Sequence, residues 1–138
     1  MGGVQPEAFP SSEVVTRTLH TLADRCVPFK ATAGLHHPIR SEHPLTYAAD
    51  APVGTMHGFV NLLCAACAIY FREPIETVQS IMDEYDANAF SFRPDAIGWT
   101  HLNWTATQVQ QVRERFFTSY GSCSFIEPMQ DVEALGWI

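Results

Sequence analysis

The chain has 138 residues, 46% apolar and only 17% charged, which supplies enough buriable surface for one core and excludes a disordered chain. Lys and Arg total 8 against 15 Asp and Glu, for a net charge of −7. The basic residues are scattered, so no stripe of them can track a phosphate backbone, and nucleic acid is not an expected partner.

Taken in chain order, Pro10-Ser-Ser-Glu13 is a helix-start signal, and Val14, Val15, Leu19, Leu22 and Ala23 follow at helical spacing. These predict a helix from Ser12 to Arg25. A short apolar segment, Val27 to Thr32, reads as a strand ended by Gly34. From Gly34 to Gly54 the chain carries Pro38, Pro44 and Pro52, which predicts a long loop of the kind that often holds function. Met56 to Phe71 is apolar on nearly every face and reads as a buried core helix. Its apolar run from Phe59 is shorter than the roughly 18 to 20 residues a membrane span needs, so a membrane is not expected as partner. Pro74 starts an amphipathic helix carrying Ile75, Val78, Ile81, Met82 and Tyr85. Ala89 to Arg93 suggests a strand, and Trp99 to Trp104 is ambiguous. Thr105-x-x-Gln108 is a capping-box start for a helix bearing Val109, Val112, Phe116 and Tyr120, with Gly121 as its stop. A strand at Cys123 to Ile126 and a short helix near Met129 to Leu135 complete the expectation. The whole is one domain of α/β class, helix-rich with a small sheet, with α+β as the alternative.

Lys30 is the chain's one lysine and lies in an apolar segment. It reads either as an outward-facing strand residue or as a Schiff-base nucleophile or anion holder. His36, His37 and His57, with Arg40 nearby, are candidates for acid–base work. His57 has the equal reading of a capping or core-edge residue. Neither H-x-x-x-H nor H-E-x-x-H spacing is present, so no metal and no cofactor are expected. Cys64-x-x-Cys67 has redox spacing, but mid-helix in an apolar run it reads as a buried structural pair. The four cysteines, Cys26, Cys64, Cys67 and Cys123, are irregularly spaced and no secretion signal accompanies them. Reduced thiols and a cytoplasmic location are therefore expected. Tyr120-Gly-Ser-Cys-Ser reads as a serine-stabilised turn.

Phe29-Lys-Ala-Thr-Ala-Gly-Leu-His-His-Pro-Ile-Arg40, Met56-His-Gly-Phe-Val-Asn61 and Gly121-Ser-Cys-Ser-Phe-Ile-Glu-Pro128 together resemble the C-terminal half of a bacterial family of uncharacterised proteins about twice this length. Lys30-Ala-Thr-Ala-Gly34 is similar to the Lys-Thr-x-Thr-Gly run that carries the Schiff-base lysine of deoxyribose-phosphate aldolases. Those enzymes are (β/α)8 barrels, and this chain has Ala31 and Ala33 where that run has threonines. A barrel-like parent fold would leave this chain as half a barrel, whose open strand edges a homodimer would cover. The short stand-alone form also resembles the orphan proteins of integron gene cassettes.

The function expected from these residues is binding of a small anionic or carbonyl ligand, with a lyase or aldolase-like reaction in view. Lys30, His37 and His57 are its candidate catalytic groups, and Thr32, His36, Arg40, Asn61, Ser122, Ser124 and Glu127 its candidate ligand contacts. The rival expectation is a non-catalytic homo-oligomeric module using Trp99, Trp104 and Trp137 as exposed anchors.

Overall fold

Ser11 accepts a hydrogen bond from the backbone N–H of Val14 at 3.3 Å and so opens helix α1 (Ser12–Asp24), which turns Val15, Leu19 and Ala23 into the core. The computed structural model describes every residue except Val4, Tyr47 and Cys123. Strand β1 (Phe29–Ala31) follows, then Ala33 and Gly34, both with left-handed backbone (φ 65° and 66°). That pair of residues turns the chain out of the strand. Gly34 is required twice over, because a side chain there would press into the Phe9 ring as well as resist the positive φ.

The predicted long loop is broken by a hairpin of β2 (Ser41–Pro44) and β3 (Val53–Met56), paired antiparallel with Ser41 opposite Met56. Pro44 is tolerated because it sits at the strand end opposite Val53. Helix α2 (Phe59–Tyr70) then runs through the centre, burying every residue from Val60 to Ile69 except Leu63. Its small side chains, Cys64, Ala65, Ala66, Cys67 and Ala68, let α1 and helix α3 (Ile75–Asp83) pack closely against it. The α3 face supplied by Val78, Ile81 and Met82 is fully buried.

Strands β4 (Phe90–Arg93), β5 (Ala96–Trp99) and β6 (Leu102–Thr105) form an antiparallel meander, and the ambiguous stretch from Trp99 to Trp104 is the turn that joins β5 to β6 with the strand ends on either side. Trp104 is buried and Trp99 and Trp137 are half-buried, so the three are not the exposed anchors that the interaction-module expectation needed. The predicted capping box at Thr105 and Gln108 is present and opens α4 (Ala106–Arg115). That helix stops well short of Gly121. The chain turns at Phe116, and β7 (Phe117–Tyr120) pairs parallel with β1. Consecutive aromatic residues explain the break: Phe116 meets Phe29 edge-on at 5.0 Å, while Phe117 stacks on the same ring at 5.1 Å. The Phe29 N–H donates to the Phe116 carbonyl at 2.7 Å, so pairing with β1 takes over the backbone where the helix ends. The predicted strand before the last helix is replaced at Phe125 and Ile126 by the start of α5 (Ile126–Ala134), while Cys123 lies outside the described residues.

The architecture is mixed α/β, and among the described residues the strands form three separate small sheets and no closed barrel. The single parallel pair among the described residues, β1 with β7, does not supply the run of parallel strands that a half-barrel would have. No helix among the described residues is long and apolar enough to cross a membrane.

Asn61 joins these parts. It is fully buried, its Oδ1 accepts from the Arg40 backbone N–H at 2.9 Å, and its Nδ2 donates to the carbonyls of Ile81 and Glu84, both at 2.8 Å. Asn61→Ala would leave these buried groups unpaired, and urea unfolding should show a loss of roughly 2 to 4 kcal/mol. A loss within about 0.5 kcal/mol would mean that the joint is dispensable.

Candidate functional site

Leu35, Pro38 and Ile39 are buried, which leaves His36 and His37 between them half-exposed. The carbonyls of His37 and Pro38 accept from the N–H groups of Phe59 and Val60 at 3.0 and 2.9 Å. Donors that would be orphaned at the start of α2 are thereby satisfied, and the histidine loop is pinned to the buried central helix. Gly58 allows the approach, since a side chain there would collide with Asn61 Oδ1 and the Pro38 carbonyl.

His37 Nδ1 lies 2.6 Å from Asp131 Oδ2 on α5. With Asp131 ionised, Nδ1 carries the hydrogen and Nε2 is left as the basic nitrogen. The His37 ring stacks face to face on His43, centroids 3.3 Å apart and planes within 5°. His43 Nε2 is 2.7 Å from Ser41 Oγ, and that hydroxyl donates to the Ile39 carbonyl at 2.9 Å. With its one proton so used, the hydroxyl accepts from His43. Beside this array, His36 Nδ1 lies 3.1 Å from Ser122 Oγ and 3.4 Å from Glu127 Oε2.

Burial holds His43 below the ordinary histidine value, helped by the charge of His37 and opposed by Asp131 and Glu127. Two imidazoles in contact cannot both hold a proton cheaply, which adds to the burial that lowers His43. The paired rings separate two open cavities. One, of about 360 Å3, is bordered by His36, His37, His43, Leu45, Met56 and Glu127. The other, of about 280 Å3, is bordered by Ser41, His37, His43, Tyr85, Asp131 and Leu135.

Not every residue singled out in the sequence reaches this cleft. Lys30 is exposed on β1 and, with Thr32, borders a different groove along α1 with Val14 and Leu22. His57 is almost fully buried. Its Nε2–H donates to the Pro10 carbonyl at 2.7 Å, and its Nδ1 accepts from Arg40 Nη1 at 3.1 Å, so both ring nitrogens are occupied by the protein itself. Arg40 also lies over the Tyr85 ring, 5.3 Å from its centroid, and its Nε is buried without a hydrogen bond among the described residues. Asn61 is likewise consumed by backbone groups. Ser122 and Glu127 do reach His36, whereas Ser124 Oγ accepts from Glu127 N and Ser122 Oγ accepts from Ser124 N, building the turn that leads into α5.

Ser41, His43, Tyr85 and Asp131 are the site residues that sequence reasoning missed. Ser41-x-His43 carried a signal, since alternate residues of a strand share a face, but the segment read as loop. Asp131 carried none, because it meets His37 across 94 positions of chain.

Among the described residues no group of three or more His, Cys, Asp or Glu side chains is arranged to hold a metal ion. Cys64 and Cys67 are buried, and burial pushes the Cys67 thiol up to about 12 and Cys64 well above its usual value. Both are poor thiolates, which suits structural packing and not redox exchange. No protein-family model matches the chain, nor does any curated protein or solved structure.

His57 generates a pH prediction. Burial holds it below the ordinary value of 6.5, with Arg40 acting in the same sense and the Pro10 carbonyl and Asp83 opposing. The unfolded chain therefore takes up the proton first, so this contribution to stability is full above about pH 6.5 and is lost as the pH falls toward the depressed folded value. His43 acts in the same direction. Urea midpoints measured from about pH 7.5 down to about pH 5 should decline, and more shallowly in His57→Gln than in wild type. Equal slopes would show that His57 is not part of the acid sensitivity.

Proposed function

We propose that this protein binds a small carbonyl compound in the histidine cleft and that His37 moves a proton to or from it. The observation that carries this reading is the Asp131–His37–His43 array: one imidazole oriented by a carboxylate, its Nε2 without a hydrogen bond among the described residues, and a second imidazole stacked on it. An oriented imidazole with one basic nitrogen is suited to taking a proton from carbon or oxygen near neutral pH. Asp131 then stabilises the imidazolium, and the same nitrogen returns the proton. The carboxylates Glu127 and Asp131 at the rim favour a neutral carbonyl ligand over a multiply charged anion. A Schiff-base route through Lys30 draws no support from that residue's place in another groove.

The test is proton–deuterium exchange next to the carbonyl of a panel of small ketones, aldehydes and 2-oxo acids in deuterated buffer, followed by NMR. His37→Asn keeps a hydrogen-bond donor for Asp131 but cannot take a proton. Exchange by wild type should fall about 100-fold or more in His37→Asn and persist in Lys30→Met. Exchange that survives in His37→Asn, or that is lost in Lys30→Met, or that wild type never shows, would overturn the reading.

A second reading, a module that associates with its own copy, is favoured by α5. That helix buries no residue, and Phe125 is 92% and Ile126 67% exposed, with Met129 and Ile138 also exposed. Monomeric proteins seldom leave such a run of apolar side chains in water. Sedimentation at micromolar concentration should show a dimer that Phe125→Glu dissociates, and a monomeric wild type would remove this reading.

A further inference from the structure

Apart from the histidine cleft, an aromatic cavity of about 290 Å3 opens where α2, β4, β7 and the C-terminal segment meet. This is close to the lower end of the volumes, roughly 300 to 1,000 Å3, that hold small molecules. Phe59 and Leu63, one turn apart on α2, form one wall, and Phe117 and Tyr120 of β7 form another. Phe59 and Tyr120 stack at 5.0 Å with planes within 9°, and Phe92 lies against Trp137 at 4.6 Å. All four rings, held in these two contacting pairs, border the cavity and give a flat ligand aromatic surface to lie against.

Arg113, on the outer turn of α4, is the one charged side chain among the lining residues, and it makes no ion pair among the described residues. Its charge reaches Tyr120: burial raises that phenol above its ordinary value, and Arg113 works against the rise. Arg113 and Tyr120 both border this apolar, aromatic space, close enough for the charge of one to act on the other. The Ser119 hydroxyl lines the same cavity. A guanidinium fork matches a carboxylate through paired charge-assisted hydrogen bonds. The aromatic walls match a ring and would be wasted on a phosphate, which is hydrated on every side.

We propose that this cavity is a second binding site, for a small aromatic carboxylate whose ring lies among Phe59, Phe92, Tyr120 and Trp137 and whose carboxylate meets Arg113. The assignment does not rest on the histidine cleft, which shares none of these residues.

Benzoate is the probe, with benzamide as its uncharged counterpart, followed by backbone and aromatic-ring NMR shifts of the full chain. Benzoate should give saturable shifts at Phe59, Phe92, Tyr120 and Trp137. In Arg113→Gln, affinity for benzoate should fall about tenfold or more, toward that for benzamide, while benzamide binding stays as in wild type. Arg113 is exposed, so its replacement should leave the fold intact. Arg115→Gln, an exposed change on the same helix outside the cavity, should bind benzoate as wild type does. Absence of saturable shifts up to about 20 mM, which would place any affinity weaker than about −2 kcal/mol, overturns the proposal. So do shifts located at other residues, or an Arg113→Gln variant that binds benzoate undiminished.

Discussion

The buried amide of Asn61 ties together three stretches of chain: the histidine loop at Arg40, the central helix on which Asn61 stands, and the end of α3 at Ile81 and Glu84. One side chain with two donors and an acceptor is well suited to this, and in a dry interior each of these bonds is costly to lose. Gly58 provides the space, because the loop backbone passes where a side chain would stand. Once Pro38 and Ile39 are held there, the direction of His37 is set by its pinned backbone. Asp131 and His43 then assemble around a fixed ring.

Histidine serves two opposite purposes within a short distance. His57 is a strut: buried, neutral, accepting from Arg40 on one side and donating to Pro10 on the other. Arg40 pairs with an uncharged imidazole and an aromatic face, so its charge stays available to depress the proton affinity of His57. His37 and His43 remain half-exposed, stacked on each other, with Asp131 hydrogen-bonded to His37 at the rim. Helix α5 connects the two cavities through consecutive residues, since Asp131 borders the histidine cleft and Val132 the aromatic one. A helix with no buried residue is an economical way to close both.

Much of the fold was legible because periodicity is local. The start of α1 behind Ser11, the all-apolar α2, the α3 stripe and the capping box of α4 were read from spacing alone and are present. The errors fell where local signals were short or competed. Pro38, Pro44 and Pro52 concealed the β2–β3 hairpin, whose four-residue strands are half solvated and carry little alternation. Val112, Phe116 and Tyr120 fit a helical face, but Phe116 and Phe117 both pack on Phe29, and pairing with β1 decided the matter. The candidate site was legible to the same degree. His36 and His37 stood out by residue type, and Ser122 and Glu127 proved to be near them, whereas Lys30, His57 and Asn61 were grouped with them only through closeness in sequence.

The sequence by itself determined the class, the central helix, the buried character of the Cys64 and Cys67 thiols and the unusual concentration of histidine after Gly34. These depend on composition and on spacings within a few turns of chain, where the geometry of helix and strand leaves little choice. Only the tertiary structure decided which histidines pack together, that Asp131 hydrogen-bonds His37, that Lys30 stands apart, and that Arg113 overlooks an aromatic cavity. Most of those facts turn on residues far apart in the chain, as with His37 and Asp131. Such contacts are selected by the packing of α2 against its neighbours and by the need to satisfy buried polar groups, and neither leaves a repeating trace along the sequence.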